Sequence, residues 1–284
     1  MINTTYLEVQ AWASSFLDEN NHEAEIAYHL MLDMADFSVS DWQIHRQDTM
    51  PSELKDAYVE AIHKVVTENY PWQYIVGKAW FYGEDFKVTP ATLIPRQETE
   101  DLVTFVFKLI KNGQIKPDAK ILDIGTGTGI IAITLKTHYP NLQITATDIS
   151  PEALAVAKEN AQAKNTTIRF ELGDLYDPVA NEKFDVIISN PPYISEDETD
   201  VMSLSTLLYE PKGALFADDS GYDIYWRLFE GLNDHLTSDA HFIAEFGYKQ
   251  GRHLLTRAKA MFPNLKANII QDYTGNDRIL WINS

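Results

Sequence analysis

The sequence predicts an α/β fold, a mostly parallel sheet with helices on both faces, preceded by a small all-helical domain. Three observations carry that expectation. Beyond about residue 96, strand-like and helix-like segments alternate, the pattern of strands joined by crossover helices. Before about residue 75, apolar residues recur only at helical spacing. The 284 residues, 45% of them apolar, suffice for about two domains with real cores and exclude disorder over most of the chain.

In the N-terminal region Tyr6, Val9, Ala13, Phe16 and Leu17 share one helical face. Ile26, Ala27, Leu30, Met31 and Met34 share a second, and Leu54, Ala57, Tyr58, Ala61, Ile62 and Val65 a third. Thr4, Ser40 and Pro51–Ser52 are the helix-start signals. These aromatic and Met stripes read as the core of a bundle, not as a cofactor box. Lys78–Val88 carries two aromatic-rich runs around Gly83, Glu84 and Asp85 and reads as a β-hairpin. Helices are then expected near 97–112, 129–138, 151–164, 221–236 and 248–261. Strands are expected near 119–124, 142–147, 167–172, 184–189, 240–246, 266–271 and 278–283. The last two, joined by a short turn, can close the sheet as an antiparallel hairpin. The expected division is a helical domain over 1–76, a hairpin linker over 77–95 and an α/β domain over 96–284.

Composition removes several classes of function. The chain has no cysteine, which excludes a disulfide scaffold, a cysteine-ligated metal and a cysteine nucleophile. The eight His are scattered without zinc-protease or paired ligand spacing, so no metal is assigned. MINTTYLEVQAW has neither a basic n-region nor an apolar h-region, so it does not read as a secretory signal. No apolar run reaches the roughly 18 residues that cross a bilayer, and a cytoplasmic protein without a membrane partner is expected. The formal charge is −19, and residues 1–75 hold 13 acids against three bases, Arg46, Lys55 and Lys64. Nucleic acid is gripped through Lys and Arg, so direct nucleic-acid binding is disfavoured. The acidic face reads either as a solvated surface or as attraction to a basic protein. Nothing specifies an oligomeric interface, and a monomer is expected.

The first chemical motif is Asp123-Ile-Gly125-Thr126-Gly127-Thr128-Gly129, where a buried strand runs into a glycine turn and then a helix. Glycines let a backbone approach a ligand closely in conformations a Cβ disfavours. The spacing is GxGxG, and Ile130 sits where a dinucleotide fold wants its third glycine. Asp123 lies two residues before Gly125, awkward beside a pyrophosphate but suited to a ligand with an ammonium group. Both features argue against NAD and towards S-adenosylmethionine. The next strand ends in Asp148, 19 residues beyond Gly129, where a carboxylate can accept from both ribose hydroxyls. Ser150 with Pro151 fills the helix-cap role there and leaves Asp148 free. In Gly173-Asp174-Leu175-Tyr176, Asp174 is placed to accept from the adenine amino group while Leu175 packs on the ring.

The fourth strand runs straight into Asn190-Pro191-Pro192-Tyr193. Two prolines stiffen such a loop and restrict the residues before them. An amide or aromatic amine is a poor nucleophile because its lone pair is delocalised. The Asn190 side-chain oxygen and the Pro191 carbonyl can hold both N–H groups and aim the nitrogen at a sulfonium methyl, with Tyr193 stacked on the planar group. Positioning supplies much of such a barrier, and the same oxygens stabilise developing positive charge. Glu196, Asp197, Glu198 and Asp200 follow as an acidic run, read as a solvated loop or as a dock for a basic partner.

With these residues the chain resembles the release-factor glutamine N5-methyltransferases, over roughly residues 70–284. Thr89–Glu100 (TPATLIPRQETE), Asp123–Gly129, Asn190–Tyr193, Tyr209–Leu215 (YEPKGAL) and Asp272–Arg278 (DYTGNDR) carry the resemblance. It implies a Rossmann-like class I S-adenosylmethionine-dependent methyltransferase sheet, with residues 1–76 as a substrate-recognition domain. It implies as acceptor the glutamine of the Gly-Gly-Gln motif in peptide chain release factors, and S-adenosylhomocysteine as product. Asp123, Gly125, Thr126, Gly127, Thr128, Gly129, Asp148, Asp174, Leu175 and Asn190 are then the cofactor-binding residues, and Asn190, Pro191, Pro192 and Tyr193 the catalytic loop. Leu175 departs from members with an aromatic residue against adenine. Arg96 and Glu98 lie in a segment that either lines the cofactor's methionine end or braces the acceptor loop, or else supplies an Arg–carboxylate pair that fixes the helix start. Three rivals remain: a nucleic-acid adenine N6-methyltransferase using the same loop, a non-catalytic nucleoside- or partner-binding protein, and, more distantly, a nicotinamide dehydrogenase.

Overall fold

The computed structural model describes residues 4–199 and 202–284. Met1–Asn3 of the opening stretch and Asp200 of the acidic run lie outside the described residues. The chain divides into two compact units, Met1–Lys78 with Ser203–Tyr209, and Ala79–Met202 with Glu210–Ser284.

In the first unit α1 (Tyr6–Glu19), α2 (Ile26–Ala35), α3 (Val39–His45), α4 (Ser52–Glu68) and α5 (Trp72–Val76) bury their apolar stripes in one core. Val9, Ala13 and Leu17 come from α1, Leu30 and Met31 from α2, and Tyr58, Ile62 and Val65 from α4. Tyr58 is fully buried and its hydroxyl donates to the Ala27 carbonyl at 2.7 Å, which satisfies the one polar atom that burial would otherwise strand. The caps differ from the expected ones. Thr5, not Thr4, caps α1, and Ser38, not Ser40, caps α3. Each has an acid three residues on, Glu8 or Asp41, whose carboxylate returns a bond to the cap's N–H. The helical segment Leu204–Tyr209 belongs to this unit as well, with the Tyr209 hydroxyl donating to the Glu68 carbonyl at 2.9 Å.

β1 (Lys78–Phe81) and β2 (Glu84–Lys87) form the expected hairpin, but the turn is Tyr82–Gly83, both with positive φ, and Glu84 already belongs to a strand. Two such residues suit the twist of a two-residue hairpin.

In the second unit the seven-stranded sheet runs β5-β4-β3-β6-β7-β9-β8. Its strands are β3 (Lys120–Ile124), β4 (Gln143–Asp148), β5 (Arg169–Leu172), β6 (Phe184–Ser189), β7 (Leu236–Glu245), β8 (Lys266–Gln271) and β9 (Asp277–Asn283). The first five are parallel, and β9 lies antiparallel between β7 and β8. Alternate strand residues enter separate cores. Ile121, Val186, Ile188 and Ile243 meet α6 (Gln97–Lys111) and α7 (Ile130–His138). Leu122, Ile187, Phe242 and Leu280 meet α12 (Asp223–His235) and α13 (Gly251–Met261). α8 (Pro151–Ala163) follows β4; between β6 and α12 lie, in chain order, α9 (Leu204–Tyr209), which belongs to the first unit, and the short helices α10 (Lys212–Leu215) and α11 (Asp218–Gly221) of the second. β7 begins at Leu236, four residues before its expected start, because a register shift lets Leu236 pair with Phe184 ahead of the apolar run. Among the described residues no helix is long and apolar enough to cross a membrane.

Candidate functional site

The chain runs outward from β3 to β5 and returns to β6 on the other side of β3, so the carboxyl ends of β3 and its neighbours border a switch point. A cavity of about 400 Å³ lies there, within the size range of small-ligand sites. The loops after β3, β4, β5 and β6 line it, together with Ala91–Leu93, Pro95, Arg96, Thr99, α10 and Arg227.

Gly125, Gly127 and Gly129 all take positive φ (+72°, +56° and +82°). A Cβ on Gly125 or Gly127 would meet nothing within 4 Å, whereas one on Gly129 would lie 2.8 Å from Ile133 Cδ1. The first two glycines therefore face open space, and the third allows α7 to pack. The Gly125 and Thr126 amides donate to the Thr147 carbonyl at 2.9 and 3.0 Å, and the Gly127 amide donates to Asp148 Oδ2 at 2.8 Å. The turn is thus tied to the end of β4. Asp148 Oδ1 accepts from the Ser150 amide at 2.9 Å, while Ser150 Oγ caps α8 on Ala153. Burial raises the Asp148 carboxyl against these bonds.

Asp123 does not line the cavity as a ligand-facing wall residue. The pleat turns its side chain into the buried layer beneath the loop, where Oδ2 accepts from Thr126 Oγ1 at 2.6 Å and Oδ1 has no partner. Burial pushes its carboxyl up to about 7, with Thr126 and Ala132 opposing and Asp148 reinforcing. Asp174 lines the cavity and is held by Arg227. Leu175 also lines the cavity, in the left-handed region at φ +46°.

Asn190, Pro191 and Pro192 line the cavity, and Tyr193 does not. The Tyr193 carbonyl accepts from Gln250 Nε2 at 3.0 Å, and Ile194 bridges to Phe216. These ties turn the ring towards the Tyr225–Phe246 core, with its hydroxyl 3.5 Å from Glu245 Oε1. The Tyr193 ring thus packs behind the cavity wall. Burial, with Glu245 adding, raises the Tyr193 hydroxyl well above the usual phenol range. Asn190 Nδ2 donates to Thr99 Oγ1 at 3.0 Å, and Thr99 Oγ1 donates to Glu245 Oε2 at 2.8 Å.

Arg96 lines the cavity and pairs with Glu210, not with Glu98. The other Glu210 oxygen accepts from the Ile94 amide at 3.0 Å, so one buried carboxylate joins Leu93–Arg96 to α10's approach. Glu196, Asp197 and Glu198 are exposed. Among the described residues no group of three or more His, Asp or Glu is placed to hold a metal ion. Sequence reasoning missed Thr99, Glu210, Arg227, Glu245 and Gln250. Glu245 carried a usable signal, an acid at the carboxyl end of an apolar strand, the cue that picked out Asp148.

Residues 105–241 match the methyltransferase small domain family and residues 8–77 the PrmC N-terminal domain. The release factor glutamine methyltransferase of Enterococcus faecalis is 41% identical over 96% of this chain and 97% of its own. That of Staphylococcus aureus is 39% identical over 99% of both, and that of Bacillus subtilis 34% over 97% and 96%. Among solved structures, a methyltransferase from Pyrococcus furiosus covers 82% of this chain and 98% of its own at 19% identity and TM-score 0.51. The hMettl16 catalytic domain, solved with an RNA hairpin, covers 97% and 90% at 14% and 0.55. These two share the fold. The chain belongs to the release factor glutamine methyltransferase family.

Proposed function

We propose that this enzyme methylates the side-chain amide nitrogen of a glutamine in peptide chain release factors, at the N5 position of the Gly-Gly-Gln motif, with S-adenosylmethionine as donor. The observation that carries the reading is the Asn190 amide: its Nδ2 is occupied by Thr99, which leaves Oδ1 as a free acceptor on the cavity wall. When bound, the donor supplies an electrophilic methyl on a sulfonium. Asn190 Oδ1 and the Pro191 carbonyl accept the two N–H groups of the glutamine amide and turn its nitrogen towards that methyl. The transfer would break one C–S bond of the donor, form one N–C bond and release one proton from the nitrogen to solvent. The orienting oxygens stabilise the positive charge that develops meanwhile.

For the donor, the Gly125–Gly129 turn with Thr126 and Thr128 offers an open backbone surface. Asp148 retains lone pairs for ribose hydroxyls, Asp174 and Leu175 border the nucleobase, and Asp123 lies beneath a cationic group. Pro192 stiffens the loop and Tyr193 supports it from behind. The helical unit recognises the release factor's body, because one glutamine side chain offers too little surface for specificity. The nucleic-acid reading is not favoured: the relatives are glutamine methyltransferases by name, and the net charge is −19.

The test is transfer of labelled methyl to a purified release factor, beside a variant lacking the Gly-Gly-Gln glutamine and an unmethylated DNA duplex. Label on the wild-type factor alone is expected. Label on the duplex alone would leave the fold and donor standing and overturn the acceptor.

A further inference from the structure

Beneath the acceptor loop lies a polar chain of which the reading above uses only the last link, from Asn190 to Thr99. It starts at Glu245, 1% exposed at the end of β7, passes through Thr99, also 1% exposed on the first turn of α6, and ends at Asn190. The geometry points to Thr99 and Glu245 as positioning residues that dictate which way round the Asn190 amide sits, and so which of its ends faces the acceptor. This inference rests on the reading of Asn190 as the acceptor-holding residue.

The argument is one of hydrogen-bond direction. An ionised carboxylate can only accept, and a threonine hydroxyl has a single proton. With Glu245 ionised, that proton is committed to Glu245 Oε2, at 2.8 Å. Towards Asn190 the hydroxyl can then only accept, so Asn190 must present its NH2, at 3.0 Å. The amide oxygen is left for the cavity. The flipped amide would set its oxygen against the Thr99 lone pairs and point two N–H groups at the N–H groups of the substrate. A binding site for an amide nitrogen needs the first arrangement and is abolished by the second.

The charge state of Glu245 is therefore part of the device. Burial pushes its carboxyl up to about 7; Thr99, Arg278 and the Tyr193 hydroxyl hold it down, and Glu98 raises it. The charged and titratable groups around it are thus Glu98 from α6, Tyr193 from the acceptor loop and Arg278 from β9. The Tyr225 hydroxyl from α12 donates to its backbone carbonyl at 2.6 Å. As pH falls through about 7 the carboxyl gains a proton, Thr99 is released from its obligation, and both amide orientations become available.

Three variants of the full chain test this: Thr99→Val, which keeps the shape and removes the hydroxyl, Thr99→Ser, which keeps the hydroxyl, and Glu245→Gln, which removes the obligate acceptor. At saturating donor, Thr99→Val is expected to slow single-turnover methyl transfer about tenfold or more, with donor affinity in calorimetry within about twofold. Thr99→Ser should recover most of the rate. The wild-type rate should show an acid limb that Glu245→Gln lacks, which a merely structural clamp would not produce. Independently of any substrate, the Asn190 side-chain amide protons, followed by 15N NMR, should exchange slowly in wild type and Thr99→Ser and faster in Thr99→Val. Equal exchange in wild type and Thr99→Val, or equal transfer rates, overturns the inference. Absence of transfer to glutamine by the wild-type enzyme overturns the proposed function instead, and the amide exchange still decides the role of Thr99.

Discussion

An ionised carboxylate with an unpaired oxygen in a dry layer is costly, and Asp123 is fully buried with Oδ1 unpartnered. Its carboxyl rises from 3.8 in ordinary surroundings to about 7 in the fold. The native state therefore binds this proton more tightly than the unfolded chain does. The penalty is absent below about pH 4, grows as pH rises through 7 and then levels off at about 4 kcal/mol at most. Comparing Asp123→Asn with wild type by denaturant titration, without donor, should show the variant gaining relative stability across that window. The same variant should bind the donor less tightly at pH 8, since a cationic group would lose its counter-charge. Asn190→Ala belongs to the same scale. It should lower the rate of transfer about 10²-fold, the usual cost of losing one preorganised charge-stabilising group, while calorimetric donor affinity stays nearly unchanged. Comparable loss of donor affinity would remove Asn190 from the acceptor side.

Between residues, the acceptor loop is held by a side chain rather than by a neighbouring strand. Gln250 Nε2 donates to the Tyr193 and Gly221 carbonyls at 3.0 and 3.2 Å, and its Oε1 accepts from the Gly247 amide at 3.0 Å. Gly221 sits at φ +85°, and a Cβ there would lie 2.2 Å from the Tyr193 carbonyl oxygen. Because that neighbour is backbone, Gly221→Ala should displace the loop, destabilise the fold by about 1–3 kcal/mol and depress transfer more than donor binding; melting and single-turnover assays measure both. β3, β4 and β6 were legible from sequence because parallel strands buried on both faces read as apolar runs, and they and the more exposed edge strand β5 begin and end within about two residues of expectation. α9, α10 and α11 were not. Leu204 and Leu208 on α9 are more than half exposed, and Asp219 and Ser220 inside α11 take left-handed conformations, so neither segment shows an amphipathic period. The acceptor motif was readable because its four residues are contiguous. Thr99 was not, because it meets Asn190 across 91 residues of sequence and Glu245 across 146.

At the scale of the molecule, the uneven charge predicts how a partner is met. The first 75 residues carry 13 acids and three bases, so a basic surface on the release factor would be steered towards them at low ionic strength. Raising salt from about 50 to 300 mM should raise KM for the protein substrate and leave the rate at saturation nearly constant; an unchanged KM would assign the acidic face to solubility alone. The sheet order carries a consequence in time. β9 is inserted between β7 and β8 although it follows both in the chain, and it brings Arg278 to Phe246, with Nη1 donating to that carbonyl at 3.3 Å. During synthesis the sheet beyond β7 cannot close until Asp277–Asn283 have emerged, and until then β7 presents an open apolar edge. A ribosome that stalls short of this strand leaves a nascent chain in which the glycine turn and acceptor motif are already made while the edge of β7 that β9 covers is still unpaired.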